Sequence, residues 1–302
     1  MGFKVEKSKA VIITVNYKSA DSVLAFLADV ERTKAFLEIE MIIVNNSPGE
    51  DNLSKIRPAA GKYANAKVIQ SPTNRGYFGG ARFALDHYLE QGNALPEWVI
   101  VCNHDIQIED KEFFSKLLCL DPETAGVIAP RIQTMPGRID QNPFMRRRPG
   151  ALRWANLRFI SCNYWAAAIW DWLSRRKSEF RSWVAARRGQ SLLDVNAKSE
   201  VIYAAHGSFF IFSRRYFEAG GFLDENLFLY GEEISVAEIC RSLGLLVVYE
   251  PSLCVLHKEH ESTGKVLSRF TYECQKKAMQ YVTARYLARS LKPVGSCQPN
   301  LS

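Results

Sequence analysis

The chain has 302 residues, 47% of them hydrophobic and 24% charged, with a formal net charge of +7. That much apolar material builds a sizeable core, as one large domain or one domain with an appendage. The seven cysteines are scattered with no Cys-x-x-Cys pair, which excludes a zinc-finger spacing and points to a reducing compartment. The start of the chain carries charges but no apolar signal region, and no window approaches the roughly 18 apolar residues of a membrane span. A cytoplasmic protein without an integral membrane segment is therefore expected.

Short β-branched runs at 11–15, 41–44, 67–69 and 98–102 each end in polar or turn residues and predict buried parallel strands. Helical spacing over 22–33, 80–90 and 111–120 makes the repeating unit strand, helix, strand, and 125–129 continues the sheet. The predicted class is α/β, a doubly wound sheet with helices on both faces. Ligands of such sheets lie beyond the carboxyl ends of the strands. Asn16-Tyr17, Asn45-Asn46-Ser47, the segment 71–80 and Asn103-His104-Asp105 are therefore expected to share one rim.

Within that rim, 74–80 reads Asn74-Arg75-Gly76-Tyr77-Phe78-Gly79-Gly80. Glycines between a strand and a helix let backbone approach a phosphate, or serve only a tight connection; both readings stand. The loop is not a Walker motif, and the first strand is not followed by the Gly-x-Gly-x-x-Gly of a nicotinamide-binding oxidoreductase.

Most of the surplus positive charge falls between 131 and 188. There Arg146-Arg147-Arg148, Arg153, Arg158 and Arg175-Arg176-Lys177 are interleaved with Trp154, Trp165, Trp170, Trp172, Phe180 and Trp183. Five of the six tryptophans lie in this stretch, so it is either a helical insertion packing its aromatics on the core or a surface for a membrane, a lipid carrier or another polyanion. Nucleic acid is not the expected partner.

Two acidic sites carry the chemistry. The strand at 98–102 delivers Asp105 at its tip, where a carboxylate can hold a metal-bound phosphate. Far along the chain, Tyr230-Gly231-Glu232-Glu233 opens a predicted helix over 232–243, where the pair is either a base or a complement to the helix dipole.

In order along the chain, these pieces resemble the family 2 glycosyltransferases of GT-A fold, in particular their rhamnosyltransferase-like members. The resemblance runs from Val11 to His257 and spares the tryptophan-rich insertion. It implies that the second-strand motif with Asn45-Asn46 holds base and ribose, and that Val15, Asn16 and Tyr17 join it. It also implies that Asn74, Gly76, Gly79 and Gly80 lie under the donor, and that Asn103-His104-Asp105 binds the metal-diphosphate with His257 as second ligand. His206-Gly207 and Tyr230 then fall on the acceptor side, with Glu233 as general base and Glu232 as its neighbour. Cofactors implied are Mn²⁺ or Mg²⁺ and a UDP- or dTDP-sugar.

Departures from the family pattern are Asn45 for an aspartate, Arg82 for an asparagine, Glu232-Glu233 for Glu-Asp, and Ser235 for an aspartate. Arg82 is either a cation near the donor phosphate or an exposed helix residue. The expected organisation is a catalytic domain over 1–264, with a donor half to about 130, the insertion over about 140–195 and an acceptor half over 196–264. A helical extension and loose tail fill 265–302, the helix predicted over 265–291 and packing on the acceptor half or a second copy. The expected activity is inverting transfer of a rhamnose-like or other hexose to a polysaccharide or lipid-linked saccharide, with peripheral membrane contact and a homodimer both open. A catalytically silent nucleotide-sugar-binding protein is the alternative, motivated by Asn45, Asn103 and Ser235.

Overall fold

A computed structural model describes residues 9–49, 51–134, 139–187, 194, 196–258 and 268–287. In chain order the first half runs β1 (Ala10–Asn16), α1 (Ala20–Glu31), β2 (Ile39–Asn45), α2 (Asp51–Ala60), β3 (Ala66–Gln70), α3 (Gly76–Glu90), β4 (Trp98–Cys102), β5 (Ile106–Gln107), α4 (Phe113–Leu118) and β6 (Val127–Thr134). The second half adds α5 (Ala151–Ser161), α6 (Tyr164–Arg187), β7 (Glu200–Ile202), β8 (Phe209–Ser213), α7 (Arg214–Glu218), α8 (Glu232–Ser242), β9 (Val247–His257) and α9 (Arg269–Val282), the last continuing as a π turn over Thr283–Leu287.

One nine-stranded sheet runs through both halves in the order β3-β2-β1-β4-β8-β6-β9-β5, with β7 on β9. The four strands predicted first are parallel neighbours, joined by helical crossovers. Past β4 the sheet becomes mixed: β8 inserts antiparallel between β4 and β6, and β6 runs parallel to β9. The predicted strand 125–129 thus belongs to the sheet but lies one strand away from β4. Successive side chains meet opposite faces of the sheet, and because both faces are covered the central strands β1, β4 and β8 are buried at nearly every position. Ile12, Trp98, Ile100, Phe209 and Ile211 pack in one core, and Val11, Ile13, Val99, Val101, Phe210 and Phe212 in the core on the opposite face.

Three elements differ from the sequence reading. α2 was not predicted, and it carries Pro58 inside a helix, where proline removes an N–H donor. α3 begins at Gly76 rather than Gly80, so most of the glycine loop is the helix's first turn. Only glycine suits its first residue: Gly76 has φ +72, and a Cβ there would lie 2.0 Å from the Phe228 carbonyl oxygen. The last helix is shorter than 265–291, running over Arg269–Val282 before the π turn. The flanks of that prediction, together with Arg188 and the tail beyond 288, lie outside the described residues.

α9 packs on α5 and on residues of the 196–264 segment. Trp154 of α5, Leu227, Ile234 of α8 and Ala278 and Val282 of α9 form a third core. Asp224 is buried beside it and accepts hydrogen bonds from the Tyr281 hydroxyl (3.0 Å), the Tyr286 hydroxyl and the Asn226 side chain (2.9 Å). Those donors compensate a carboxylate that has left water.

Candidate active site

The tips of β1, β2 and β3 are joined by amides. The Asn16 amide donates to Asn45 Oδ1 (2.9 Å), and Asn45 Nδ2 donates to Gln70 Oε1 (2.8 Å). Gln70 Nε2 in turn donates to the Ser71 carbonyl (2.7 Å), and the Lys18 N–H to Ser47 Oγ (2.6 Å). Asn45 is buried with both ends of its side chain engaged. An aspartate there could accept but not donate, so it would break the link to Gln70. The neighbouring Asn46 donates to the Gly76 carbonyl (2.8 Å), and Gly80 closes on Val15, where a Cβ would meet Val15 Cγ1 at 2.9 Å. The first expected rim is thereby assembled.

Around it, Asn74 Oδ1 accepts from the Gly76 N–H (3.0 Å), while a Cβ on Gly79 would meet the Arg75 side chain at 3.1 Å. Tyr17 stands half exposed with the Lys18 ammonium 5.3 Å from its ring centre. Arg82 lies on the outer side of α3, 3.3 Å from Glu225 Oε1 and 3.4 Å from Asp86 Oδ2, so two carboxylates share its charge.

Asp105 sits between β4 and β5, and strand pairing delivers it to His257: β5 pairs antiparallel with the end of β9, putting Ile106 opposite His257. His257 Nε2 is 3.4 Å from Asp105 Oδ1, and its Nδ1 is 2.8 Å from Gln141 Oε1. Because that amide oxygen only accepts, the ring proton belongs on Nδ1. Nε2 and Asp105 Oδ1, a buried oxygen with no hydrogen-bond donor, are then two acceptors facing each other. Such a pair needs a proton or a cation between. Burial raises the Asp105 carboxyl, and a proton at His257 Nε2, through its hydrogen bond and charge and with His104, outweighs burial and holds that carboxyl below the usual carboxylate range.

A divalent cation fits the same two acceptors. Among the described residues no cluster of three or more His, Cys, Asp or Glu is arranged around a point, so the protein offers a half-site that substrate phosphates and water would complete. Asn103 flanks it, its N–H bonded to the Ser208 carbonyl (2.9 Å), and His104 is buried beside Asp105.

His206 and Gly207 connect this couple to the second acidic site. The His206 ring lies 6.0 Å from that of His257, and the His206 backbone N–H donates to Asn142 Oδ1 (2.8 Å). Its Nδ1 accepts from the Ser208 N–H (3.2 Å), and burial with the nearby His257 pushes its pKa down to about 3. His206 is therefore a neutral imidazole. One residue on, a Cβ at Gly207 would lie 2.7 Å from Glu233 Oε1, so the missing side chain makes room for that carboxylate.

Backbone geometry sets the position of Glu232 and Glu233. Tyr230 and Gly231 have φ values of +71 and +88, two successive left-handed residues immediately before α8. For tyrosine this costs on the order of 1 kcal/mol, strain of the kind that collects where a site must be aimed. Glu232 is buried with Oε1 unpartnered, and burial plus the Glu233 charge push its pKa up to about 8. Glu233 is only half buried; burial raises its pKa too, offset in part by its own N–H and those of Gly207 and Gly231. Burial pushes both carboxyls of the pair toward the protonated form, and the more accessible of the two is Glu233.

Sequence reasoning passed over Tyr77, whose phenol is central here. Its hydroxyl is buried without a partner, and burial followed by Cys102, Glu232, Asp105 and Glu233 raises it well above the usual phenol range. Its N–H donates to the Phe228 carbonyl (2.9 Å), tying the glycine loop to the segment before α8. The aromatic inside the glycine loop was the available signal. Gln70 and Gln141 were also missed, since single amides after strands carry no motif.

The chain is 23% identical over 260 residues to N-acetylglucosaminyl-diphospho-decaprenol L-rhamnosyltransferase of Mycobacterium tuberculosis, covering 84% of this chain and 77% of that protein. Among solved structures, the mannosyltransferase PcManGT from Pyrobaculum calidifontis in complex with GDP-Man and Mn²⁺ superposes with a TM-score of 0.50 at 12% identity, over 95% of this chain and 76% of that one. GalNAc-T7 with UDP, GalNAc and Mn²⁺ gives a TM-score of 0.57 at 13% identity, over 93% of this chain and 48% of that longer one. These likenesses establish a GT-A glycosyltransferase fold. The family model described as Glycosyl transferase family 2 matches residues 10–221, a span that holds the amide-linked strand tips, the glycine loop, Asp105 and His206-Gly207, and the chain therefore belongs to that family of glycosyltransferases.

Proposed function

We propose that the chain is an inverting, metal-dependent glycosyltransferase that moves a rhamnose-like or other hexose from a UDP- or dTDP-sugar to a lipid-linked saccharide or polysaccharide acceptor. The observation that carries this reading is the bridge from Asp105 and His257 through His206 and Gly207 to Glu233, which joins a cation half-site to an accessible carboxylate. The neutral amides of Asn16 and Asn45 shape the nucleotide end. Asp105 and His257 would hold Mn²⁺ or Mg²⁺; an imidazole ligand favours manganese. When bound, the cation would offset the negative charge that grows on the departing diphosphate.

On the opposite side Glu233 takes the proton from the acceptor hydroxyl, whose own pKa lies far above neutrality. Glu232, protonated, adds no second charge to repel an incoming anion. Attack from the face opposite the leaving group inverts the anomeric centre. Similarity to a decaprenol-linked rhamnosyltransferase supports the lipid-linked acceptor and the deoxyhexose.

The test is hydrolysis of a panel of nucleotide sugars with Mn²⁺ or Mg²⁺, comparing the wild type with Asp105→Ala. Metal-dependent turnover of one donor, lost in Asp105→Ala, is the expected result. No turnover of any donor, with no thermal shift from UDP or dTDP plus metal, would overturn the reading.

A further inference from the structure

The outer face of α6 is built like an interfacial helix. Trp165, Ile169, Trp172, Leu173 and Phe180 recur at i, i+4, i+7, i+8 and i+15, which gathers them on one side, and each is more than half exposed. Leu152 and Phe159 of α5, seven residues apart, are exposed as well, as is Phe270 near the start of α9. A helix on a water-facing surface ordinarily turns such a stripe inward. Here the inward contacts are made by other residues: Trp154 of α5 fills the third core, and the Tyr164 ring meets Tyr272 of α9 at 5.3 Å.

Charge says what covers the stripe. Between 146 and 187 there are ten Lys and Arg residues against Asp171 and Glu179 alone. Arg146 and Arg148 pair with Glu200 and Glu238, while Arg153, Arg158, Arg176 and Lys177 lie exposed along the two helices. The Arg176 guanidinium is 5.7 Å from the Trp172 ring centre, which puts a cation within the aromatic stripe. Apolar side chains flanked by cations match an anionic lipid surface, not water and not a neutral protein face. No helix among the described residues is long and apolar enough to cross a membrane, so the helix would lie on the bilayer.

We propose that α5 and α6 form a docking face for an anionic lipid bilayer, with α6 in the interfacial plane. Its purpose rests on the lipid-linked acceptor reading, although the binding does not. Trp154 shares the third core with Ile234 of α8, the helix that opens with Glu232 and Glu233, so the docking face and that helix are joined by one core.

Flotation of the full chain with phosphatidylglycerol-containing or pure phosphatidylcholine vesicles tests it. The wild type is compared with a Trp165→Ser, Ile169→Ser, Trp172→Ser, Leu173→Ser variant and with an Arg158→Glu, Lys177→Glu variant. Donor hydrolysis in solution is measured for each. The wild type floats with anionic vesicles and about tenfold less with neutral ones; both variants lose about tenfold or more in vesicle binding with hydrolysis unchanged. Should the four-serine variant fold poorly, the charge variant still decides. Wild type that stays unbound to both vesicles, or variants that float like it, overturns the proposal. So does a wild-type dimer that the serine variant splits, since a second copy would then cover the stripe. Flotation without hydrolysis in any protein would leave the docking face standing and remove the transferase reading.

Discussion

At the tips of β1, β2 and β3, Asn16, Asn45 and Gln70 pass hydrogen bonds from strand to strand, all neutral. On the carboxylate side, Asp105 Oδ1, Glu232 Oε1 and the Tyr77 hydroxyl are buried with no hydrogen-bond partner among the described residues. The first rim is complete without a ligand. The second holds polar atoms at a cost of about 1–3 kcal/mol each, which substrate or cation contacts can recover. Structural and chemical roles are thus split between two edges of one sheet, and substitutions on the two edges should fail differently.

The largest effect is expected at Glu233. Glu233→Gln keeps shape and hydrogen-bonding capacity but removes the base, and should lower kcat for transfer about a thousandfold while nucleotide still shifts Tm. A rate loss below about tenfold would move the base elsewhere. Next comes Gly207→Ala, whose Cβ would sit 2.7 Å from Glu233 Oε1. Displacing that carboxylate by about 1 Å should cost roughly a hundredfold in kcat with KM for the donor little changed. Equal losses in kcat and in donor binding would show that Gly207 serves the nucleotide instead.

On the neutral rim the damage should appear in stability. Asn45→Leu strands the Asn16 amide and Gln70 Oε1, and should lower the unfolding free energy by about 2–3 kcal/mol in denaturant titration. An unchanged midpoint would show that water replaces the amide bridge. The smallest effect concerns Glu232. Its folded pKa is raised from 4.5 to about 8, so its proton is held more tightly in the folded state. The stability it contributes is full below about pH 4.5 and is lost as pH rises toward 8. Glu232→Gln should therefore raise Tm by roughly 3 °C at pH 8.5 and change little at pH 4.5. A gain at acid pH instead would contradict the burial of that carboxyl.

Much of the fold was readable because β1, β2 and β4 are buried on both faces, and continuous β-branched runs such as Val11-Ile12-Ile13 announce that environment, whereas β3, also expected to be buried, is a half-exposed edge strand. The helices between them followed from spacing, except α2, where Pro58 hides a helix. Asp105, Glu232 and Glu233 were legible as acidic residues at element ends. The hydrogen bonds of Asn45 were not, because an amide does not reveal whether its partners are a base or Gln70. Arg82 shows the same limit: its two partners, Asp86 and Glu225, come from separate parts of the chain.

The sequence by itself determined the parallel half-sheet, the rim at its carboxyl ends and the family, since these depend on local periodicity and on motifs in order. Only the tertiary structure decided that Ile106 pairs opposite His257, that Gly207 leaves room for Glu233, and that the aromatic stripe of α6 faces outward. Strand register and helix rotation arise from contacts between segments well separated in the chain, and no local pattern encodes which of two faces a packed element will present.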